Sequence, residues 1–245
     1  TLFVVCDLCT RRQAWVGTAR KVLHPALIWI GVVVVLLMAQ PNLGTTVVIG
    51  VTSFAVLFAA GVSGTSLAGW GVTGVVAAAW GALGTDYRRA RLLAFLDPWA
   101  DPASTGYQTI QSQVSFGSGS WFGVGLGEGR QKWGFLPNAH TDFIFAIIGE
   151  ELGLFGALFV VVLFCLLAYL GVRTATLAAD TFGRLLATGI TTWFAVQAFV
   201  NLGAVIGILP VTGVPLPFIS FGSSAMLANM AAAGILCNVC RTARR

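Results

Sequence analysis

The sequence predicts an all-α protein, a multi-pass bundle of transmembrane helices with one large outer loop. The 245-residue chain is 57% hydrophobic and only 9% charged, with a mean hydropathy of +0.86. A soluble domain, by contrast, is roughly half apolar and about a quarter charged. Most apolar residues fall into runs close to the ~20 residues that cross a bilayer. Polar residues concentrate in residues 85–141, which we expect to form the loop.

Six apolar runs are predicted to be membrane helices. They cover residues 22–40, 43–62, 67–84, 142–172, 184–208 and 220–240, with approximate ends. The first residues, TLFVVCDLC, indicate the end of a further helix. We therefore expect six to seven helices in a single membrane domain, 1–245, that is incomplete at its N-terminus. A signal peptide is not predicted, because the sequence shows no basic segment followed by an apolar core and a cleavage site.

The distribution of basic residues predicts the orientation of the chain. Nine of the fourteen Lys and Arg residues fall on one side of the alternating helices. Because Lys and Arg collect on the cytoplasmic side, residues 85–141 are predicted to face outward from a bacterial cytoplasmic membrane. No basic and aromatic nucleic-acid-binding module is present, so we expect membrane lipids and not nucleic acid as partners.

Two features of the outer loop suggest contact with anions or headgroups. Arg88, Arg89 and Arg91 alternate with apolar residues in 87–95, and a Gly-rich stretch covers 116–129. Guanidinium groups bind phosphate bidentately, so one interpretation of the three arginines is a phosphate-binding site. The alternative is an interfacial belt of Arg and Trp residues that rests the loop on lipid headgroups.

The most informative stretch is residues 132–153, KWGFLPNAHTDFIFAIIGEELG, where a polar loop enters an apolar helix. A carboxylate at such a boundary is costly to desolvate, so Asp142 is a functional candidate by default, as a general base or a cation ligand. Glu150 would lie about 12 Å further along a continuous helix. For Glu150 and Glu151, hydrogen bonding between helices and a functional role stay open. For His140, the favoured interpretation is a loop histidine that hydrogen-bonds to backbone.

A second outer element, residues 208–224, contains three prolines within eight residues. Proline removes a backbone donor and clashes with the preceding turn, so a regular helix is excluded there. Non-helical backbone at membrane depth occurs only where it is buried in protein or lines a wet cavity. This segment is therefore predicted to be a re-entrant cavity wall.

Four parts of the sequence together resemble the SEDS (FtsW/RodA) family of bacterial cell-wall polymerases. They are KWGFLPNAHTDFIFAIIGEELGLFGAL, GILPVTGVPLPFISFGSS, QPNLGTT, and RLLAFLDPWADP with GYQTIQSQ. The resemblance covers nearly the whole chain, and DPWADP with GYQTIQSQ is more similar to FtsW-like division members than to RodA-like elongation members. It implies a ten-helix fold of which this chain holds the C-terminal portion. It also implies a peptidoglycan glycosyltransferase that polymerises lipid II beside a class B penicillin-binding transpeptidase.

The resemblance also implies site residues. Asp142 matches the essential carboxylate of the HTDF motif, and it is a candidate ligand for a divalent cation, Mg²⁺ or Mn²⁺. The positions matching the rest of the outer cavity are Arg91, Gln108, Gln111, Ser112, Lys132, Pro137, His140, Thr141, Ser220 and Gly222. The chain departs from the family pattern at Asn42 and Asn138, where acids are usual, and at Phe221 and Ser223.

Two other functions would use similar features. A flippase for the lipid-linked precursor also needs a polar cavity, broken helices and a central acid. A non-enzymatic scaffold of the division machinery would leave Asp142 dispensable. The polar residues are predicted at the outer face and not at the bilayer midplane, which favours chemistry at the surface over transport.

Overall fold

The computed structural model describes residues 1–11, 19–40, 42–83 and 86–243, with side chains except at 19–22, 75–83, 86–89 and 92. Within these ranges the elements are helical, which confirms the predicted all-α class. The α-helices are α1 (Leu2–Arg11), α2 (Ala19–Ala39), α3 (Leu43–Ala59), α4 (Gly64–Leu83), α5 (Asp86–Leu96), α6 (Tyr107–Gly119), α7 (Ile144–Leu177), α8 (Thr181–Val205) and α9 (Ser223–Ala243). Short 3-10 helices cover Pro98–Ala100 and Gln131–Trp133.

Each of the six predicted apolar runs corresponds to a helix, namely α2, α3, α4, α7, α8 and α9. Among the described residues, α7, α8 and α9 are long and apolar enough to cross a membrane. The chain is thus a multi-pass membrane protein. The segment predicted as an outer loop is partly ordered into α5, α6 and both 3-10 helices.

Local capping explains where two helices begin. Asn42 precedes α3, and its side-chain oxygen accepts a hydrogen bond from Thr45 N at 3.1 Å. Asn and Asp cap helices about equally well, so the departure from the family's acid at this position keeps the cap. Asp180 precedes α8 and accepts from Gly183 N at 2.8 Å.

The chain packs as two compact units. Unit 1 comprises residues 1–81, 167–196 and 230–245, and unit 2 comprises residues 82–166 and 197–229. In unit 1, α8 lies close against α1 and α3: a Cβ on Gly189 would come within 2.6 Å of a Leu2 methyl and 2.9 Å of a Val56 methyl. Asp142 and the other predicted site residues lie in unit 2.

The core of unit 2 lies around the segment that carries Asp142. Leu136, Ala139 and Phe143 are buried here together with apolar residues of α7, of α8 and of the segment between α8 and α9 (residues 206–222), which we call the Pro-rich segment. Phe143 and Leu216 are each only 1% exposed. Burying such side chains stabilises a fold by about 1.5–3 kcal/mol each, so the residues flanking Asp142 anchor it firmly.

Helix α7 is interrupted at Gly153, where φ is 67° and ψ is −164°. The loop at 120–125 supplies replacement hydrogen bonds on both sides of the break. Val124 N donates to Glu150 O at 3.0 Å, and Leu154 N donates to Ser120 O at 2.9 Å. Because buried backbone groups need partners in an apolar environment, this pairing attaches the loop to the helix.

Candidate active site around Asp142

Asp142 lies on a turn, residues 137–143, that immediately precedes α7. Asn138 adopts the left-handed conformation, with φ of 56°, which Asn tolerates better than most residues. Its carbonyl accepts hydrogen bonds from Thr141 N at 3.1 Å and Phe143 N at 3.3 Å. Asn138, another departure from the family pattern, therefore suits the turn it occupies.

Helix α8 holds this turn through one amide side chain. Asn201 Nδ2 donates to Asp142 O at 2.7 Å and to Val214 O at 2.8 Å. Asn201 is 2% exposed, and its bond to Val214 O is buried, whereas the bond to Asp142 O is partly buried. The side chain joins the Asp142 turn to the segment between α8 and α9.

The predicted site residue Ser220 makes a second link between the same two segments. Its hydroxyl donates to Thr141 O at 2.6 Å and accepts from Leu216 N at 2.7 Å. One residue further on, Phe221 N donates to His140 O at 2.9 Å. Ser220 is thus engaged within the protein and fixes the backbone beside Asp142.

The Pro-rich segment is non-helical, as predicted, and places backbone next to the carboxylate. Gly213 has φ of 71°, and a Cβ built on it would lie 3.5 Å from Asp142 Oδ2. A side chain here would be strained by this φ, and its Cβ would be in van der Waals contact with the carboxylate. Gln197 Nε2 donates to Pro215 O at 2.8 Å and so ties the segment to α8 again.

Opposing effects act on the charge of Asp142. Burial raises the pKa of this half-buried carboxyl above its usual value, and the positive charge of Arg91 lowers it by a smaller amount. Arg91, on α5, also donates from Nη1 to Val211 O at 3.2 Å. A desolvated carboxylate with a raised pKa is a stronger base, which suits proton abstraction near neutral pH.

The other predicted residues divide by burial. Ser112 is fully buried, and its hydroxyl donates to Val205 O, so in this conformation it joins α6 to the end of α8. The half-buried residues are Gln108 and Gln111 on α6 and Gly222 before α9, whereas Pro137 and His140 are exposed on the Asp142 turn.

Lys132 belongs to a neighbouring cluster. Its ammonium group lies 2.7 Å from Glu151 Oε1 and 2.6 Å from Gly127 O. Both charged side chains are largely buried, with 18% and 14% exposure respectively. Its positive charge is therefore already compensated by Glu151, and a role for Lys132 as a phosphate ligand stays a prediction.

Glu150 anchors the same loop to α7. This residue is 3% exposed, and its carboxylate accepts from Arg130 N at 2.9 Å and from Gln131 N at 3.2 Å. The hydrogen bonds that Glu150 and Glu151 make in this structure reach residues 130–132, which include part of the 3-10 helix Gln131–Trp133. A functional role for these two carboxylates stays a prediction.

The described residues contain no group of three or more His, Cys, Asp or Glu side chains that would hold a metal ion. Asp142 can supply one carboxylate. Mg²⁺ is often bound by one or two carboxylates together with substrate phosphates. Among the described residues, side chains alone do not form a cation cage, and a cation at Asp142 would need further oxygen ligands.

Sequence reasoning missed Asn201 and Gln197. The available signal was a pair of amide residues spaced i, i+4 on an otherwise apolar helix, which places both on one face. Buried polar groups in such a helix need hydrogen-bond partners, so the spacing indicated a polar contact on that face of α8.

The fold and site together define a multi-pass helical membrane protein with a carboxylate held on a turn between a broken helix and a Pro-rich segment. The family model for FtsW, RodA and SpoVE, described as "Cell cycle protein", matches residues 1–245. The chain therefore belongs to this family, and the expected SEDS resemblance is confirmed.

Comparisons with individual proteins agree. The chain is 46% identical over 215 residues to the probable peptidoglycan glycosyltransferase FtsW of Geobacter metallireducens, covering 88% of this chain and 57% of that protein. It is 39% identical over 235 residues to stage V sporulation protein E of Bacillus subtilis, covering 96% and 64% respectively. The chain thus spans less than two thirds of the length of these relatives.

A solved structure supports the fold. The chain matches, with a TM-score of 0.76 and 28% identity, a chain from a structure titled as the structural coordination of polymerization and crosslinking by a peptidoglycan synthase complex. The match covers 99% of this chain and 68% of that one. The FtsW-like character expected from the motifs is also confirmed by the names of the relatives.

Proposed function

We propose that this chain forms the catalytic part of a peptidoglycan glycosyltransferase that polymerises lipid II into glycan strands during cell division. Family membership and the names of the relatives support this assignment. The observation that carries it is the placement of Asp142. Its carboxylate is half-buried and lies near Gly213 and the positive charge of Arg91, and its main-chain carbonyl accepts a hydrogen bond from Asn201.

In the proposed reaction, Asp142 accepts the proton of the acceptor sugar hydroxyl as that oxygen attacks the anomeric carbon of the donor. The bond from this carbon to the diphosphate oxygen breaks, and its electron pair leaves with the diphosphate. A positioned general base contributes about 10²–10⁴-fold to such a step. The guanidinium of Arg91 would stabilise the negative charge that develops on the leaving group.

The substrate and the partner follow from the same assignment. Lipid II carries its diphosphate at the membrane surface, and the turn with Asp142 sits at the start of a helix that is apolar enough to span the membrane. We place this face on the outside of the cytoplasmic membrane, from the bias of basic residues. A class B penicillin-binding transpeptidase is the proposed partner. As the alternative to the general-base role, Asp142 would hold Mg²⁺ or Mn²⁺, which would supply positive charge to neutralise the leaving diphosphate.

The test is polymerisation of lipid II by purified protein carrying Asp142→Asn, which keeps the side-chain volume and removes the charge. We expect the turnover number to fall by at least about 10²-fold, as for loss of a general base. Glu128→Gln is the matched control, because Glu128 is an exposed acid of the same outer segment, and it should leave the rate unchanged.

Other outcomes discriminate among the alternative functions. Normal polymerisation by folded Asp142→Asn protein would refute the catalytic role of this residue. Absence of polymerisation in the unsubstituted protein, combined with lipid II translocation in vesicles that Asp142→Asn abolishes, would indicate a flippase. Absence of both activities, with transpeptidase binding retained, would indicate a scaffold.

A further inference from the structure

We propose that Asn201 is the positioning residue of Asp142, a role that rests on the proposed function. Asn201 projects from α8, and its side-chain amide donates a hydrogen bond to the main-chain carbonyl of Asp142, the candidate base. Its second bond reaches Val214, next to the Gly213 backbone that lies against the carboxylate. One side chain therefore fixes the position of Asp142 relative to the backbone around Gly213 and Val214.

The orientation of this amide is determined by its partners. Both contacted atoms, Asp142 O and Val214 O, are carbonyl oxygens and only accept hydrogen bonds. The Asn201 amide must therefore point its nitrogen toward them, since Nδ2 carries two donors and Oδ1 carries none. Both N–H groups are used, at 2.7 and 2.8 Å.

The same orientation leaves Asn201 Oδ1 buried without a hydrogen-bond partner among the described residues. An unpaired buried acceptor lowers stability. An apolar side chain would avoid that cost but would remove the donors that Asp142 O and Val214 O now use. The advantage of Asn201 is the pair of donors that joins the Asp142 turn to the Pro-rich segment.

Precise placement matters here because the base acts through hydrogen-bond geometry. A displacement of about 1 Å can lower a rate by about 10²-fold. Ser220 and Phe221 bond to Thr141 O and His140 O, so the residues before Asp142 stay tethered when Asn201 is replaced. Loss of Asn201 should then loosen Asp142 without unfolding the turn.

The experiment compares Asn201→Leu with Asn229→Leu in the purified protein. Leucine keeps the volume and removes both donors, and Asn229 is an equally buried asparagine, 3% exposed, on α9. We expect Asn201→Leu to lower kcat for lipid II polymerisation by about 10- to 100-fold and to change KM by less than about twofold, because Arg91 is untouched. Asn229→Leu should leave kcat within about twofold of the unsubstituted value.

A double substitution separates positioning from general damage. In the Asp142→Asn background, adding Asn201→Leu should cause no further loss of residual turnover, because residues that act as a unit are not additive. A multiplicative further loss would overturn the positioning role. Unchanged kcat for Asn201→Leu alone would also overturn it.

Hydrogen exchange tests whether Asn201 tethers the Asp142 turn, independently of the proposed function. The amide of Phe143, which follows Asp142 and donates to Asn138 O, should exchange faster in Asn201→Leu than in the unsubstituted protein, and Asn229→Leu should not change it. Faster exchange in a protein that does not polymerise lipid II would refute the function and support the tether. Unchanged exchange would overturn the tether, whatever the activity.

Discussion

Replacing Glu150 tests how the outer loop is attached to α7. Its buried carboxylate accepts two backbone N–H groups, from Arg130 and Gln131, at 2.9 and 3.2 Å. Glu150→Ala leaves both donors without that acceptor. Each buried donor left unpaired costs about 1–3 kcal/mol. Removing the buried charge returns part of its desolvation penalty, so we expect a net loss of about 2–4 kcal/mol in the free energy of loop opening.

The assay is hydrogen exchange followed by mass spectrometry on a peptide covering residues 124–134. Since about 1.4 kcal/mol is a factor of ten, exchange should accelerate by about 30- to 10³-fold. Glu150→Gln, which keeps one acceptor oxygen, should give a smaller acceleration. Glu128→Ala, at an exposed acid in the same peptide, should give none. Equal exchange in the Glu150 and Glu128 variants would refute the reasoning that Glu150 holds the loop.

Further predictions concern charge, backbone support and orientation. Because Arg91 lowers the pKa of Asp142, Arg91→Gln should move the acid limb of the pH profile of kcat/KM to higher pH. An unmoved limb would show that Arg91 does not act on the charge of Asp142. Ser220→Ala removes the acceptor of one buried backbone N–H and a hydroxyl donor, so we expect about 2–4 kcal/mol lower stability in thermal unfolding; an unchanged Tm would refute its structural role. A cysteine replacing Ser104 should react with an impermeant thiol reagent outside intact cells and one replacing Thr176 should not, while the reverse pattern would place the active face inward.

Sequence patterns predicted the helices well because of a local physical constraint. A segment that crosses lipid must satisfy its backbone hydrogen bonds within itself, so a run of about 20 apolar residues is nearly committed to a helix. The same constraint predicted that the three prolines after α8 would break the helical pattern. It also identified Asp142 as a functional candidate, since a carboxylate at the end of such a run is costly to desolvate.

The partners of the polar side chains were not predictable in this way. Lys132 was predicted to bind phosphate, and the sequence did not indicate that it also pairs with Glu151. Ser220 was expected at substrate, yet in this structure its hydroxyl bonds to backbone on both sides. Neither this ion pair nor these bonds leave a periodic signal in the sequence.

The sequence by itself determined the helical membrane fold, the family and the candidate acid, because hydropathy and motifs are properties of neighbouring residues. Only the tertiary structure decided how that acid is held. Asn201 and Asp142 are 59 positions apart, and Arg91 reaches Val211 across 120 positions. Such contacts depend on how helices pack and where backbone is left unpaired, and these are settled only when the whole chain is folded.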